Sequence, residues 1–434
     1  MLTTALLVAG LLAAQDTQPI AFVNVNVLPM DRERVLENYT VVVRRGRIES
    51  LGPAARTPVP GGALRIDGRG RYLMPGFAEM HGHLPNPDAP NSSFELAETV
   101  LLLYVASGVT AVRGMQGHPP ALELRRRIAR GELLGPRLWV AGPPLSGNSA
   151  RTPEDGQRLV EEQKAAGYDL LKIQEGLEPQ VYQAVVAAAR RLGLPFGGHV
   201  PNAVGLREVL ASGQISVDHL DNYVETLGGP DSADDRRIAE LVAATRAAGA
   251  WIVPTLALWE TFLTGDPDTL ARRPELAYVP PQWRANWTQQ LAGMRRNNPD
   301  VAAGARVAAL RRRVLKALAD GGARIVFGTD SPQLFSVPGF SIHHEIRAMR
   351  EAGLTPFQIL ESGTRRVAEY FGATDDFGVV APGMRADLVL LNGNPLEDLS
   401  RLQGPAGVMV AGRWLPDSEI RLRLERIAAR FREP

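Results

Sequence analysis

Between residues 75 and 372, eight short apolar runs alternate with longer stretches, most of them Ala-rich and amphipathic at helical spacing. The runs lie at 77–81, 111–114, 137–141, 170–174, 195–199, 216–219, 251–256 and 324–328. Strands separated by helix-length connections pair in parallel, because the crossover must carry the chain back along the sheet. Eight such units are what a (β/α)8 TIM barrel requires, so the fold class is α/β with the barrel at 75–375. The connection over 260–321 is long and Arg-rich, and it is expected to hold extra helices at the mouth of the barrel.

The two ends of the chain have a different texture. Residues 20–73 are β-rich, with period-two alternation from Ala21 to Leu28 and a hairpin expected through Arg45-Gly46. Short strands separated by Gly, Pro and Asn return at 383–391 and 407–414. One small β-sandwich built from both termini, 19–74 and 376–434 with a tail helix, accounts for this pattern. Residues 1–18 contain an apolar run from Ala5 to Ala14, too short to span a bilayer and similar to an export signal, although no positive charge precedes it. A periplasmic or secreted location is the expectation.

Composition excludes several functions. A formal net charge of +1 gives no reason to expect nucleic acid as a partner. The absence of cysteine removes thiolate metal sites and a cysteine nucleophile. Arg125-Arg126-Arg127 and Arg311-Arg312-Arg313 sit in helical patterns and read as solvated faces. The expected partner is a small molecule or short peptide, with no membrane span; a homo-oligomer is compatible with the sequence.

The chemistry sits at the ends of the eight runs, where barrel enzymes carry their functional groups. His81 and His83 flank Gly82 after the first run, so both imidazoles fall on one side of the strand. Lys172 lies on the fourth, His199 ends the fifth, His219 ends the sixth and Asp330 follows the eighth. Only three of the 48 basic residues are lysine, and one of them is this Lys172 inside an apolar run. Neutral imidazole and carboxylate are common ligands for divalent metals, and an ordered series of them at strand ends points to a metal site.

The motifs Met74-Pro75-Gly76-Phe77 leading to His81-Gly82-His83, Asp169-Leu170-Leu171-Lys172-Ile173, Gly328-Thr329-Asp330 and Gly383-Met384-Arg385-Ala386-Asp387 resemble those of the amidohydrolase superfamily. The chain is most similar to its imidazolonepropionase-like branch and to metal-dependent Xaa-Pro (prolidase) or Xaa-Arg carboxypeptidases. The resemblance implies two divalent ions, with zinc the expected metal. It places His81, His83 and Asp330 on one ion and His199 and His219 on the other, bridged by a CO2-derived carbamate on Lys172. It further implies hydrolysis of an amide or peptide C–N bond by a hydroxide shared between the ions, with Asp330 as the catalytic proton carrier. A dipeptide or N-acyl amino acid is the implied substrate.

For substrate contacts, Tyr223 resembles a tyrosine that holds a substrate carboxylate in such enzymes, with packing at the barrel rim as the alternative. Arg113, at the end of the second run, is a further cationic candidate, set against a structural ion pair. The loop after the third run has no histidine where many relatives have one, so Ser146 or Asn148 would have to serve instead. His118 reads as solvent-facing, and His343 and His344 as packing at a helix start. Other readings are a one-metal cyclic-amide hydrolase or deaminase, which has no use for Lys172, and a non-catalytic scaffold, which would have lost ligands.

Overall fold

The structure, a computed structural model, describes residues 18–432. The apolar segment expected to direct export lies outside the described residues. No helix among the described residues is long and apolar enough to cross a membrane. The chain divides into two compact units, one of residues 18–78 with Tyr104–Thr110 and Pro356–Arg426, the other of Glu79–Leu103, Ala111–Thr355 and the C-terminal end.

In the first unit, strands from both ends of the sequence join one sheet. From the N-terminal part come β1 (Ile20–Val27), β2 (Leu36–Arg44), β3 (Arg47–Pro53), β4 (Leu64–Asp67) and β5 (Tyr72–Pro75). The sheet runs β16-β15-β14-β5-β1-β2-β3, with β4 pairing β1, where β14 is Leu388–Leu391, β15 Gly407–Val410 and β16 Arg413–Pro416. The two halves meet where β5 pairs antiparallel with β14, Leu73 opposite Leu390. The expected hairpin is present between β2 and β3. Arg45 (φ 49°) and Gly46 (φ 71°) both take the left-handed conformation that its tight turn demands. A bridge between Arg47 and Arg385 returns the β3 edge to the C-terminal segment, so the sheet folds over on itself. Phe22 of β1 meets Trp414 of β16 edge to face at 5.2 Å inside that fold, among Val41, Leu73, Leu388 and Met409.

The eight expected barrel strands all form: β6 (Phe77–Gly82), β7 (Val109–Gly114), β8 (Arg137–Val140), β9 (Leu171–Ile173), β10 (Phe196–Gly198), β11 (Ser216–Asp218), β12 (Trp251–Val253) and β13 (Arg324–Ile325). They lie in the order β6-β7-β8 and β9-β10-β11-β12-β13, with β7–β8 and all of β9 to β13 paired in parallel. Isolated parallel bridges, Ala141 to Leu170 and Leu145 to Ile173, link the two groups on one side. The hydrogen bonds Met80 N to Phe327 O and Asp330 N to His81 O, both 2.8 Å, link them on the other. The circle is therefore closed, and the first and last strand ends lie side by side.

The long connection after β12 is helical as expected, with helices Leu256–Thr264, Pro281–Asn297 and Val301–Asp320. The last of these corrects one expectation. Arg311 is only 3% exposed, because its position faces inward; its guanidinium lies 4.2 Å from the Trp259 ring centroid and donates to the His219 carbonyl. Burial pushes its pKa down to about 10. A periodic run of arginines does not reveal which of them its helix turns toward the interior.

Candidate metal centre

Five of the eight barrel strands, β6, β9, β10, β11 and β13, carry ionisable groups at or just past their C-terminal ends. Those groups converge on one cavity of about 390 Å³, lined by His81, His83, Lys172, His199, His219 and Asp330. His83 Nε2 lies 2.5 Å from Asp330 Oδ1, and His81 Nε2 lies 3.7 Å from the same oxygen. Lys172 Nζ is 3.0 Å from His81 Nε2. The His219 ring stands 4.4 Å from that of His81 and 4.6 Å from that of His199, centroid to centroid. The six strand-end residues are thus brought together.

The backbone at this rim is held in unusual conformations. His219 (φ 65°) and Asp330 (φ 61°) both occupy the left-handed region, which non-glycine residues adopt only when their surroundings hold them there. Beside Lys172, β10 ends in Gly198 at φ +125°, where a Cβ would come within 2.5 Å of the Ile173 carbonyl oxygen and 2.9 Å of Lys172 Cδ. Glycine at this position lets β10 lie close against the lysine.

A layer of buried carboxylates supports the cluster. Asp218, fully buried, accepts from Arg113 Nη2 at 2.8 Å and lies 2.7 Å from His81 Nδ1. Burial works against its charge, but Arg113 and Lys172 outweigh it and hold the carboxyl below its usual value. Asp221 Oδ2 stands 2.6 Å from His199 Nδ1, and Thr255 Oγ1 2.8 Å from His219 Nδ1. Such partners fix the ring orientation of a metal-binding histidine. Glu79 accepts from the backbone N–H groups of His81 and Thr329 and from the Thr329 hydroxyl, which ties the first strand end to the eighth. Burial pushes Glu79 up to about 8. Sequence reasoning missed Glu79, Asp218 and Asp221. The available signal was a carboxylate inside or just past an apolar strand, two residues before His81, one before His219 and two after it.

The cluster fits a divalent cation. Burial, reinforced by the neighbouring cations, keeps His81 and His219 well below the usual histidine pKa, so their rings are neutral and carry a free lone pair. His219 Nε2 is buried without a hydrogen-bond partner. Burial also pushes Lys172 down to about 8, so its amine loses a proton far more readily than an exposed lysine. Ligand atoms of His81, His83 and Asp330 lie within 4.8 Å of one another, as do those of Glu175, His199 and Asp221. An all-nitrogen-and-oxygen donor set of this kind suits zinc and similar ions.

The expected substrate contacts fare differently. Tyr223 is wholly buried, and its hydroxyl lies 2.6 Å from Thr245 Oγ1, so it takes the packing role and cannot reach a substrate. Arg113 is also wholly buried, spent on Asp218, Ser216 and the Met80 carbonyl, which is the structural ion pair. Ser146 and Asn148 occupy the loop after β8; the Ser146 hydroxyl accepts from Asn148 N at 3.3 Å, an arrangement internal to the loop. His118 is buried rather than solvent-facing, because it caps the helix Pro119–Ala129 by accepting from Ala121 N. His344 packs on Glu275 at 2.7 Å in the first turn of the helix Ser341–Glu351, as its position suggested.

Residues 72–415 match the amidohydrolase family. The chain belongs to the amidohydrolase family. Members of that family are typically metal-dependent hydrolases of C–N bonds. Among curated proteins, the chain is 28% identical over 404 residues to an adenine deaminase of Rubrobacter xylanophilus, an alignment covering 89% of this chain and 56% of the relative. The chain therefore spans about half the length of the curated relatives it matches. Among solved structures it is similar to bottromycin amidohydrolase, with TM-score 0.75 and 28% identity over 97% of this chain and 93% of the other. A Xaa-Pro dipeptidase with methionine bound in its active site shares the fold, with TM-score 0.70 and 20% identity, covering 92% of this chain and all of the other.

Proposed function

We propose that this amidohydrolase cleaves an acyclic amide C–N bond with two divalent ions. His81, His83 and Asp330 would hold one ion and His199 and His219 the other, with Lys172, as a carbamate, between them. The observation that supports this reading best is the desolvated Lys172 amine, 3.0 Å from His81 and inside the same cavity as both histidine pairs. A one-metal deaminase has no use for a lysine there. A bound ion pair supplies Lewis acidity for the scissile carbonyl and an acidified water.

The protein's own residues do the rest. Asp330, with its backbone fixed against His81 and its carboxylate facing His83 and His219, is placed to hold a proton and pass it to the departing nitrogen. His199, backed by Asp221, and His219, backed by Thr255, are oriented from behind, so little reorganisation is needed on binding. Asp330→Asn tests this role. At matched metal content, amide turnover is expected to fall by about two to four orders of magnitude. Near-normal turnover at full metal content would place the proton transfer on another group.

A further inference from the structure

We infer that the substrate is an amide flanked on both sides by bulky, uncharged, preferably aromatic groups, and that a free terminal carboxylate is selected against. This rests on the amide-hydrolase reading above and specifies its substrate. The metal-cluster cavity is joined by a second cavity of about 380 Å³, and His83, Gln116 and Pro144 line both. The candidate metal centre therefore lines the first space and meets the second at His83. On one side the wall is made by Leu258, Trp259 and Phe262 from the helix Leu256–Thr264. On the other it is made by Trp283, from the helix Pro281–Asn297, with Leu84 and Pro85. Trp259, Phe262 and Trp283 are half-buried and line these walls with aromatic surface against which apolar groups can pack.

Charge decides the rest. In the first cavity the charged side chains are Lys172 and Asp330, both members of the metal cluster, and no Asp, Glu, Lys or Arg lines the second. The two residues that could have received a carboxylate, Arg113 and Tyr223, are buried on other partners. His118 lines the second cavity, but both its ring nitrogens are engaged, by Ala121 N and Leu84 O, and burial lowers its pKa. Away from the metal cluster, a carboxylate or ammonium packed against the Leu258–Phe262 wall or placed in the second cavity would lose water without meeting an opposite charge on those walls. The side-chain amides that reach the walls, Gln116, Gln174 and Gln333 in the first cavity and Asn86 in the second, are neutral and able to pair with another amide.

The test uses the metal-loaded full chain with four acyclic amides. These are N-benzoyl-phenylalanine methylamide, the same compound as the free acid, and versions with either ring replaced by methyl. Binding is read separately by calorimetry, using the uncharged ketomethylene analogue in which CH2 replaces the scissile N–H. The two-ring methylamide is expected to exceed the free acid in kcat/KM by at least about tenfold. Loss of either ring should lower kcat/KM by about ten- to a hundredfold, in line with the burial of one aromatic group. Trp259→Ala should abolish the preference for one ring and Trp283→Ala for the other, with matching losses in affinity for the analogue. Equal or faster turnover of the free acid, or indifference to either ring, would overturn the inference. If no acyclic amide is cleaved while cyclic amides or aminopurines are, the amide-hydrolase reading fails. The two-arm inference is then decided by calorimetry alone, and failure to bind the analogue would overturn it.

Discussion

Glu345 is a carboxylic acid buried at the start of a helix, and its removal tests how the cavity wall is held. Its Oε1 accepts from Leu256 N at 2.9 Å and its Oε2 from Ala257 N at 2.7 Å, so it caps the helix that carries Trp259 and Phe262. Glu345→Ala leaves two helix N-terminal donors without an acceptor. At about 1–3 kcal/mol for each buried unsatisfied donor, the expected loss is about 2–6 kcal/mol, a large fraction of a typical domain's stability. The variant that still folds should raise KM more than it lowers kcat, because Trp259 and Phe262 lose their anchor.

Burial pushes Glu345 up to about 8, which fixes the sign of a pH effect. The folded chain holds a proton that the unfolded chain has already released between the ordinary glutamate value and about 8. Its stabilising contribution is therefore full in acid and is lost as pH rises through that window, by up to about 1.4 kcal/mol per unit. Glu79 behaves in the same way, so the informative quantity is the difference between wild type and Glu345→Gln in urea unfolding. Wild type should be the more stable at pH 5, and its advantage should shrink steadily towards pH 8. A difference that stays constant over this range, or a cost below about 1 kcal/mol for Glu345→Ala, would refute the reasoning.

Two further outcomes follow from the site. Lys172→Arg should lose as much activity and metal as Lys172→Ala, because a guanidinium cannot form a carbamate, while short carboxylic acids partly restore only the alanine variant; elemental analysis beside turnover checks both. Tyr223→Phe should cost about 0.5–1.5 kcal/mol of stability, the net value of one hydrogen bond, and should leave the preference between acid and amide substrates unchanged; a shift in that preference would return Tyr223 to the substrate site.

The parts that sequence made legible share a physical cause. His81, His83, Lys172, His199, His219 and Asp330 stand out because an ionisable group at the end of an apolar strand is costly unless something engages it. The alternation of the barrel strands is equally visible, since period and length separate strand from helix. Arg311 and His118 were misread because both are decided by which way a helix or loop turns, which residue spacing leaves open. Tyr223 looked functional from its distance to His219, yet the short helix Tyr223–Thr226 turns the ring onto Thr245. The two-sided cavity was not legible at all. Trp259 is brought to the first cavity and Trp283 to the adjoining one by helices within a connection whose path the sequence does not specify.

The most direct test of the central claim is the metal content of the purified chain, measured by elemental analysis for wild type and for a variant lacking both His199 and His219. Two divalent ions per chain in the wild type, falling to one or fewer in the variant, is the expected result. A single ion in the wild type, or two ions retained without His199 and His219, would contradict the two-ion site.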